Sequence, residues 1–294
     1  MTNDLQKTAV PDKKQFYGLQ NDYMFHAVMQ ESELVLKHLT AALLDIPVTD
    51  ITECTVQNPL IYGEAIGDKT CILDVRLLLN KAKRIDLELQ TSYQEFWPDR
   101  SLLYWSRTFD HLQAGDPYEN LLPAYHIGIL GFTLFKDNPE FFSEYRVLNV
   151  KNNHLYSDKL GIFVLDLTRT NLADDSPREQ LLLKWANLFK ARSLSELEPL
   201  CKENEVFENM ETTIKMLNDD ERVREACWQR IMYDFSMRAQ YEAGKAEEAK
   251  RADAADKRAD AADKRADTEA KRADAAEQEL RRLKERLAKY EPVD

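Results

Sequence analysis

The sequence has no apolar run long enough to cross a bilayer, and residues 1–14 are polar rather than signal-like. Its four cysteines are widely spaced, so neither a disulfide framework nor a zinc motif is indicated. Its five histidines form no HExxH motif and no close pair of ligands, and His126, in an apolar strand, is expected to be a hydrogen-bonded core residue. We therefore predict a cytoplasmic protein with reduced thiols and no membrane contact.

Positive charge is also in short supply. The chain has 40 Lys and Arg against 52 Asp and Glu, a net charge of −12. Residues 245–294 are balanced, so the whole excess of negative charge falls in residues 1–244. Proteins that bind duplex DNA usually present a basic surface. Any affinity for DNA is therefore expected to be modest or salt-sensitive, and no helix-turn-helix or zinc finger is recognisable.

Polar residues alternate along the third strand of the predicted sheet. Two strand-like stretches, residues 71–79 and 84–91, are separated by a short basic turn. Strand alternation places Asp86, Glu88 and Gln90 on one face of the second stretch. The opposite face carries leucines. The pattern predicts a hairpin with one polar and one apolar face.

The first stretch of this hairpin adds a second carboxylate. Asp74 and Arg76 share one face, so the hairpin brings Asp74 and Glu88 together beside the Gln90 amide. Burying carboxylates is costly unless a cation or hydrogen bond compensates. A hard divalent ion such as Mg²⁺, with Mn²⁺ as a substitute, would do so. The alternative is an ordinary half-exposed antiparallel sheet, and the pattern by itself leaves both interpretations open.

The order of the predicted elements narrows this choice. The elements are a helix at residues 21–44, a strand at 51–61, the hairpin, a helix at 99–114 and a strand at 124–135. With the stretches NDYMFHAVM, ILDVRLLL, DLELQ, RSLLYWSRTF, GDPYENLLPAYHIGILGFTLF and LGIFVLDL, this order resembles the PD-(D/E)XK nucleases. More closely, it is similar to their branch of recombination-promoting nucleases and transposase-like proteins. The likeness runs from about Tyr17 to Thr168 and implies a restriction-endonuclease-like mixed sheet flanked by helices.

The resemblance also implies an activity and a site. It implies a magnesium-dependent DNA endonuclease in which Asp74 and Glu88 hold the metal, with the carbonyl of Leu89 as a candidate further ligand. The metal would polarise the scissile phosphate and lower the pKa of an attacking water. Gln90 stands where the superfamily usually has Lys. An amide orients water or a phosphate oxygen but supplies no positive charge.

Several residues are candidates for supporting roles. Arg100 or Arg107, on the helix after the hairpin, is a candidate for the missing charge, and Tyr104 lies one turn on from Arg100. Asp22, at the start of the first helix, is either the outlying acidic residue of the site or a helix cap. Glu64 is its rival for the outlying position.

The sequence changes character after the nuclease-like segment. We predict a nuclease-like domain at residues 15–170, a helical region at 171–244 that packs on or beside it, and a charged heptad-repeat helix at 245–294. Four near-identical heptads, beginning KRADAAD, run from Lys250. They predict a parallel dimeric coiled coil with complementary charges flanking an alanine-rich seam. Because alanine buries little area, a solvated single helix is the alternative.

Two function classes remain at this point. The first is a metal-dependent DNA hydrolase associated with recombination or mobile elements, which cleaves with relaxed or structure-directed specificity. The second is a nuclease-like scaffold that binds DNA or a protein partner without cutting. Intact Asp74 and Glu88 favour the enzyme, whereas Gln90 and the acidic composition keep the scaffold open.

Overall fold

The computed structural model of the protein describes residues 15–57, 60–61, 71–72 and 75–287. Asp74, Glu64 and the end of the heptad segment from residue 288 lie outside the described residues. The strands are β1 (Cys54–Gln57), β2 (Leu60–Ile61), β3 (Cys71–Ile72), β4 (Val75–Leu79), β5 (Lys83–Gln90), β6 (Ala124–Leu130), β7 (Phe142–Tyr145) and β8 (Leu160–Asp166). The helices are α1 (Asp22–Glu31), α2 (Glu33–Leu44), α3 (Trp97–Phe109), α4 (Pro177–Lys190), α5 (Leu194–Cys201), α6 (Glu205–Asp219) and α7 (Glu221–Leu287).

Six of the strands form one mixed sheet in the order β1-β4-β5-β6-β8-β7. Strand β4 is antiparallel to both of its neighbours, β1 and β5. Strands β5, β6 and β8 run parallel, and β7 closes the far edge antiparallel to β8. A separate antiparallel pair joins β2 and β3. Because parallel neighbours need a crossover, helix α3 carries the chain from β5 back to the start of β6. The predicted mixed sheet flanked by helices is confirmed.

The two faces of the sheet differ in chemistry. On one face, the apolar residues of β5, namely Ile85, Leu87 and Leu89, enter the main core with side chains from α1, α2, α4, α5 and α6. The other face packs against α3, where a smaller core forms around Trp97 and Leu130. Glu88 and Asp86 are therefore held on the α3 side by the alternation that buries the leucines on the other.

The prediction of one helix at residues 21–44 is wrong in one respect, because the structure has two helices there. Ser32 separates them: its hydroxyl accepts a hydrogen bond from the Val35 amide and donates one to Asn209. A serine hydroxyl at this position accepts a hydrogen bond from a free amide in the first turn of a helix. The chain can therefore begin a new helix here instead of continuing the first one. The cap of α1 is Asn21, whose side chain accepts from the Met24 amide, so Asp22 is not the cap.

The chain divides into two compact units, one ending at Ile231 and one beginning at Met232. In the first, Trp185 of α4 and Phe207 of α6 pack against each other within the main core. The second is the long C-terminal part of α7, an exposed helix carrying i,i+4 ion pairs such as Lys257–Asp253 and Lys271–Asp267. No helix in the described part of the chain is long and apolar enough to span a membrane.

Candidate active site

Glu88 lies at the centre of the polar face. On β5 it pairs in register with Gly128 of β6, and its side chain is only 2% exposed. One carboxylate oxygen, Oε1, is 2.8 Å from Nη2 of Arg100, and the other, Oε2, is 3.8 Å from Nε2 of His126. The carboxylate is thus buried between two groups that can carry positive charge.

Arg100 connects Glu88 to the side-chain amide of Gln90. Its Nη1 donates to Oε1 of Gln94 at 2.9 Å and, more weakly, to Oε1 of Gln90 at 3.4 Å. Its guanidinium lies 4.9 Å from the centre of the Tyr104 ring, a cation–π distance. The structure therefore brings together four of the predicted residues: Glu88, Gln90, Arg100 and Tyr104.

A buried histidine–carboxylate pair lies beside Glu88. His126 Nδ1 is 2.7 Å from Oδ2 of Asp86, and both side chains are fully buried. Because an ionised carboxylate only accepts hydrogen bonds, Nδ1–H is the donor. The expectation of a hydrogen-bonded core histidine is confirmed. The ring nevertheless turns its second nitrogen toward Glu88, so His126 belongs to the site as well as to the core.

The pKa shifts in this cluster follow from its burial. Desolvation raises the pKa of Glu88, and the nearby Asp86 charge raises it further, while Arg100 and His126 act in the opposite direction. Burial by itself would lower the pKa of His126, but attraction to Asp86 and Glu88 and the Asp86 hydrogen bond outweigh it, so the net pKa is raised. Glu88 is therefore a carboxyl group that additional positive charge would keep ionised.

Aromatic rings close the site on the α3 side. Trp97 is 1% exposed, and its ring centre lies 5.5 Å from that of His126. Gly128 makes this possible, because a Cβ at that position would lie 2.3 Å from Cζ2 of Trp97. The glycine lets the indole lie directly on the sheet next to Glu88.

We expect Gly128→Ala to lower the free energy of unfolding by about 1–3 kcal/mol, because the added methyl forces the buried Trp97 ring to move. Urea unfolding of the full chain measures this. Gly244→Ala is the matched control, because no described side chain lies within 4 Å of a Cβ there. A Gly128→Ala variant as stable as wild type would show that Trp97 does not pack on β6 in this way.

Two other predicted residues, Asp22 and Arg107, do not contact this cluster among the described residues. Asp22 Oδ2 is 2.6 Å from Nη2 of Arg230, and α1 buries its apolar face in the main core on the other side of the sheet. Arg107 is in the last turn of α3, about 10 Å along the helix from Arg100, and no contact joins it to Glu88 within the described residues. Asp74 and Glu64 stay predictions.

Sequence reasoning missed two contributors to the cluster. Gln94 lies in the loop after β5 and gave no signal. The partnership of Asp86 with His126 joins two strands whose pairing is set by the parallel register of β5 and β6, in which Asp86 is directly opposite His126. Asp86 was correctly assigned to the face of Glu88, but its partner is forty residues away in the sequence.

Two half-buried arginines extend the polar face toward the sheet edge. Arg76 on β4 is opposite Asp86 on β5, and Arg84 is opposite Leu78. Burial lowers the pKa of each guanidinium; the Asp86 charge acts against this at Arg76, and the Arg76 charge adds to it at Arg84. This face therefore carries a pair of neighbouring cations in addition to Arg100.

The donor atoms at Glu88 suit a hard cation. Neither of its carboxylate oxygens has a hydrogen-bond partner of good geometry among the described residues, the Arg100 contact being an ion pair. Carboxylate and carbonyl oxygens are the ligands that Mg²⁺ prefers. The described residues contain no cluster of three or more His, Cys, Asp or Glu side chains placed to hold a metal. A complete site therefore needs a further ligand.

Comparison with known proteins identifies a family. A family model described as PD-(D/E)XK nuclease family transposase matches residues 19–244. Comparison with curated proteins gives no match, and neither does comparison with solved structures. The matched span begins just before α1, contains the whole six-stranded sheet, and ends within α7 before the heptad repeats.

Proposed function

The chain belongs to the PD-(D/E)XK nuclease family transposases, and from this premise we propose that it is a metal-dependent DNA endonuclease. Membership makes it nuclease-like and associated with mobile elements, in a superfamily that generally uses divalent metals. The proposed reaction is hydrolysis of phosphodiester bonds during recombination or element movement. The observation that supports it most is the buried Glu88 carboxylate beside Arg100 and Gln90.

Asp74 is the proposed second metal ligand. It directly precedes Val75 in the sequence, and Val75 pairs with Leu87, the neighbour of Glu88. We propose that Asp74 and Glu88, with the Leu89 carbonyl, hold Mg²⁺ or Mn²⁺. Such an ion supplies Lewis acidity to the scissile phosphate and lowers the pKa of the attacking water.

The remaining side chains of the site are proposed to position water or phosphate and to balance charge. Arg100 supplies the positive charge that Gln90 lacks, because it donates to Gln90 and lies against Glu88. The Gln90 amide, held by Arg100 and by the Ser92 carbonyl, is proposed to orient water or a phosphate oxygen. His126 and Asp86 fix the inner side of Glu88, and Trp97 excludes water from it.

The proposal is tested by incubating supercoiled plasmid with the full chain in Mg²⁺, in Mn²⁺ and in EDTA. Nicking or linearisation that requires the metal is the expected result. The scaffold alternative has one specific observation in its favour: Arg100 already neutralises Glu88 within the described residues. Absence of cleavage on supercoiled, linear, branched and single-stranded DNA with either metal would favour that alternative.

We further propose that two chains pair through the C-terminal heptads. Deleting residues 250–294 is expected to shift the protein toward monomer in light scattering and to favour nicks over double-strand breaks. The physical reason is that two linked catalytic units act at raised effective concentration. An unchanged oligomer after the deletion would place the dimer contact elsewhere.

The three described free cysteines are buried, which suits the reducing cytoplasm that we propose as the location of the protein.

A further inference from the structure

The polar face of the sheet extends beyond the strands on which α3 packs. Helix α3 packs against β5 and β6, whereas β4 and β1 continue the sheet to its edge. On the α3 side of these two strands, strand pairing places Gln57 opposite Arg76 and the exposed Thr55 opposite Leu78. The face next to Glu88 therefore carries Thr55, Gln57, Arg76 and Arg84 around Leu78, and we call these four polar residues the polar strip.

Arg76 and Arg84 are diagonal neighbours on this strip. Neither forms an ion pair with any described residue, and the Nε atom of each is buried without a hydrogen-bond partner in the same part of the chain. Asp86, directly opposite Arg76, is hydrogen-bonded to His126 through Oδ2, and its charge attracts Arg76 without forming an ion pair with it among the described residues. Two adjacent guanidinium groups repel each other, so an anion between them would be stabilising.

The chemistry of the pair favours a phosphate. A guanidinium offers a planar set of donors that matches phosphate oxygens two at a time, and it stays charged when half buried. A diester phosphate of a DNA strand can accept from both guanidinium groups while the strand continues toward the proposed metal-binding end of β5.

The spacing connects the pair to Glu88. Arg84 and Glu88 are on the same face of β5, four residues apart, which corresponds to about 13 Å along the strand. The rise of a DNA duplex is about 3.4 Å per nucleotide along its axis, and the phosphates of one strand are farther apart than this, so the distance corresponds to only a few nucleotides. A DNA strand whose scissile phosphate lies at Glu88 can therefore also reach Arg84.

We propose that Arg76 and Arg84 form a phosphate-binding site for the DNA backbone a few nucleotides from the scissile phosphate. This inference rests on the proposed function and deepens it. The site gives a chain of net charge −12 a local cationic contact where the substrate enters, and it sets the position of the strand relative to Glu88. Because it contacts phosphate, it carries no sequence preference.

The test measures binding rather than cleavage. Fluorescence anisotropy of a short labelled duplex of mixed sequence is followed with the full chain in EDTA, over a range of NaCl concentrations. The Arg76→Gln/Arg84→Gln double variant is expected to bind about 10–100-fold more weakly, and the slope of log affinity against log salt should shrink by about 2, one per arginine removed. Arg84→Lys keeps the positive charge but loses the planar guanidinium. Its affinity should therefore lie between those of wild type and the double variant.

The matched control removes the same charge elsewhere. Arg192 and Arg222 are exposed and distant in sequence from the strip, so Arg192→Gln/Arg222→Gln should leave affinity and salt slope unchanged. If the double variant at the strip unfolds, the single Arg84→Gln variant should still reduce the slope by about 1.

The outcomes separate this inference from the proposed nuclease activity. If wild type binds through Arg76 and Arg84 but never cuts DNA with any metal, the phosphate site stands and the nuclease proposal fails. If wild type cuts DNA and the double variant retains wild-type affinity and salt slope, the phosphate site is overturned. It is also overturned if wild type shows no binding to the duplex in EDTA, or if the control variant weakens binding equally.

Discussion

Replacing Glu88 by glutamine is expected to abolish metal-dependent cleavage, with a loss of more than about 100-fold. The change keeps the size of the side chain and removes the charge that Arg100 contacts. Altering an outer partner of a metal ligand already costs about 10–100-fold in activity or metal affinity, so loss of a proposed ligand should cost at least as much. Plasmid cleavage in Mg²⁺ and in Mn²⁺ measures it.

Glu144→Gln is the matched control. Glu144 is on β7, at the other edge of the sheet, and like Glu88 it is paired with arginines, here Arg146 and Arg178. Its substitution should leave cleavage unchanged. Thermal unfolding of both variants separates loss of fold from loss of function. Metal-dependent cleavage that survives Glu88→Gln would contradict the assignment of the site to β5.

Arg100→Met is expected to lower both stability and activity. Arg100 lowers the pKa of Glu88, so its removal raises that pKa further above the value in the unfolded chain. Removing one partner of a fully buried ion pair costs about 3–5 kcal/mol. Because the Arg100 side chain is 27% exposed and Glu88 can take up a proton, we expect about 2 kcal/mol at neutral pH.

The pH dependence of this variant gives a sharper readout. A carboxyl group whose pKa is raised by folding binds more protons in the native than in the unfolded state, so stability falls as pH rises through the window between the two values. Arg100→Met should enlarge this fall and extend it to higher pH relative to wild type. In a Glu88→Gln background the same change should cost less stability, because the carboxylate that Arg100 contacts is already gone. An equal loss of stability from Arg100→Met in wild type and in Glu88→Gln would show that Arg100 does not act on Glu88.

The polar face of the hairpin could be predicted because strand alternation is local. Once Leu87 and Leu89 are assigned to the core, Glu88 and Gln90 must face the other way. The proximity of Arg100 and Tyr104 also followed, since a helix after β5 has to return across that face. These predictions needed only the order of elements and the period of each.

Other features depend on tertiary pairing and could not be predicted. The Asp86–His126 pair is set by the parallel register of β5 and β6, which no local pattern specifies. His126 looked like an ordinary core histidine because its neighbours in the sequence are apolar. The division of the first helix at Ser32 depends on a bond to Asn209, a residue of α6. Net charge likewise gave no sign of the cationic pair formed by Arg76 and Arg84.

The most direct test of the central claim is calorimetric titration of Mg²⁺ and Mn²⁺ into the full chain. The claim is that Glu88 and Asp74 together hold a divalent ion on the α3 face of the sheet. Wild type is expected to bind a single ion, and Asp74→Asn and Glu88→Gln should each weaken binding by at least about 10-fold, while Glu144→Gln should not. Binding of equal strength in wild type and in both site variants would contradict the claim.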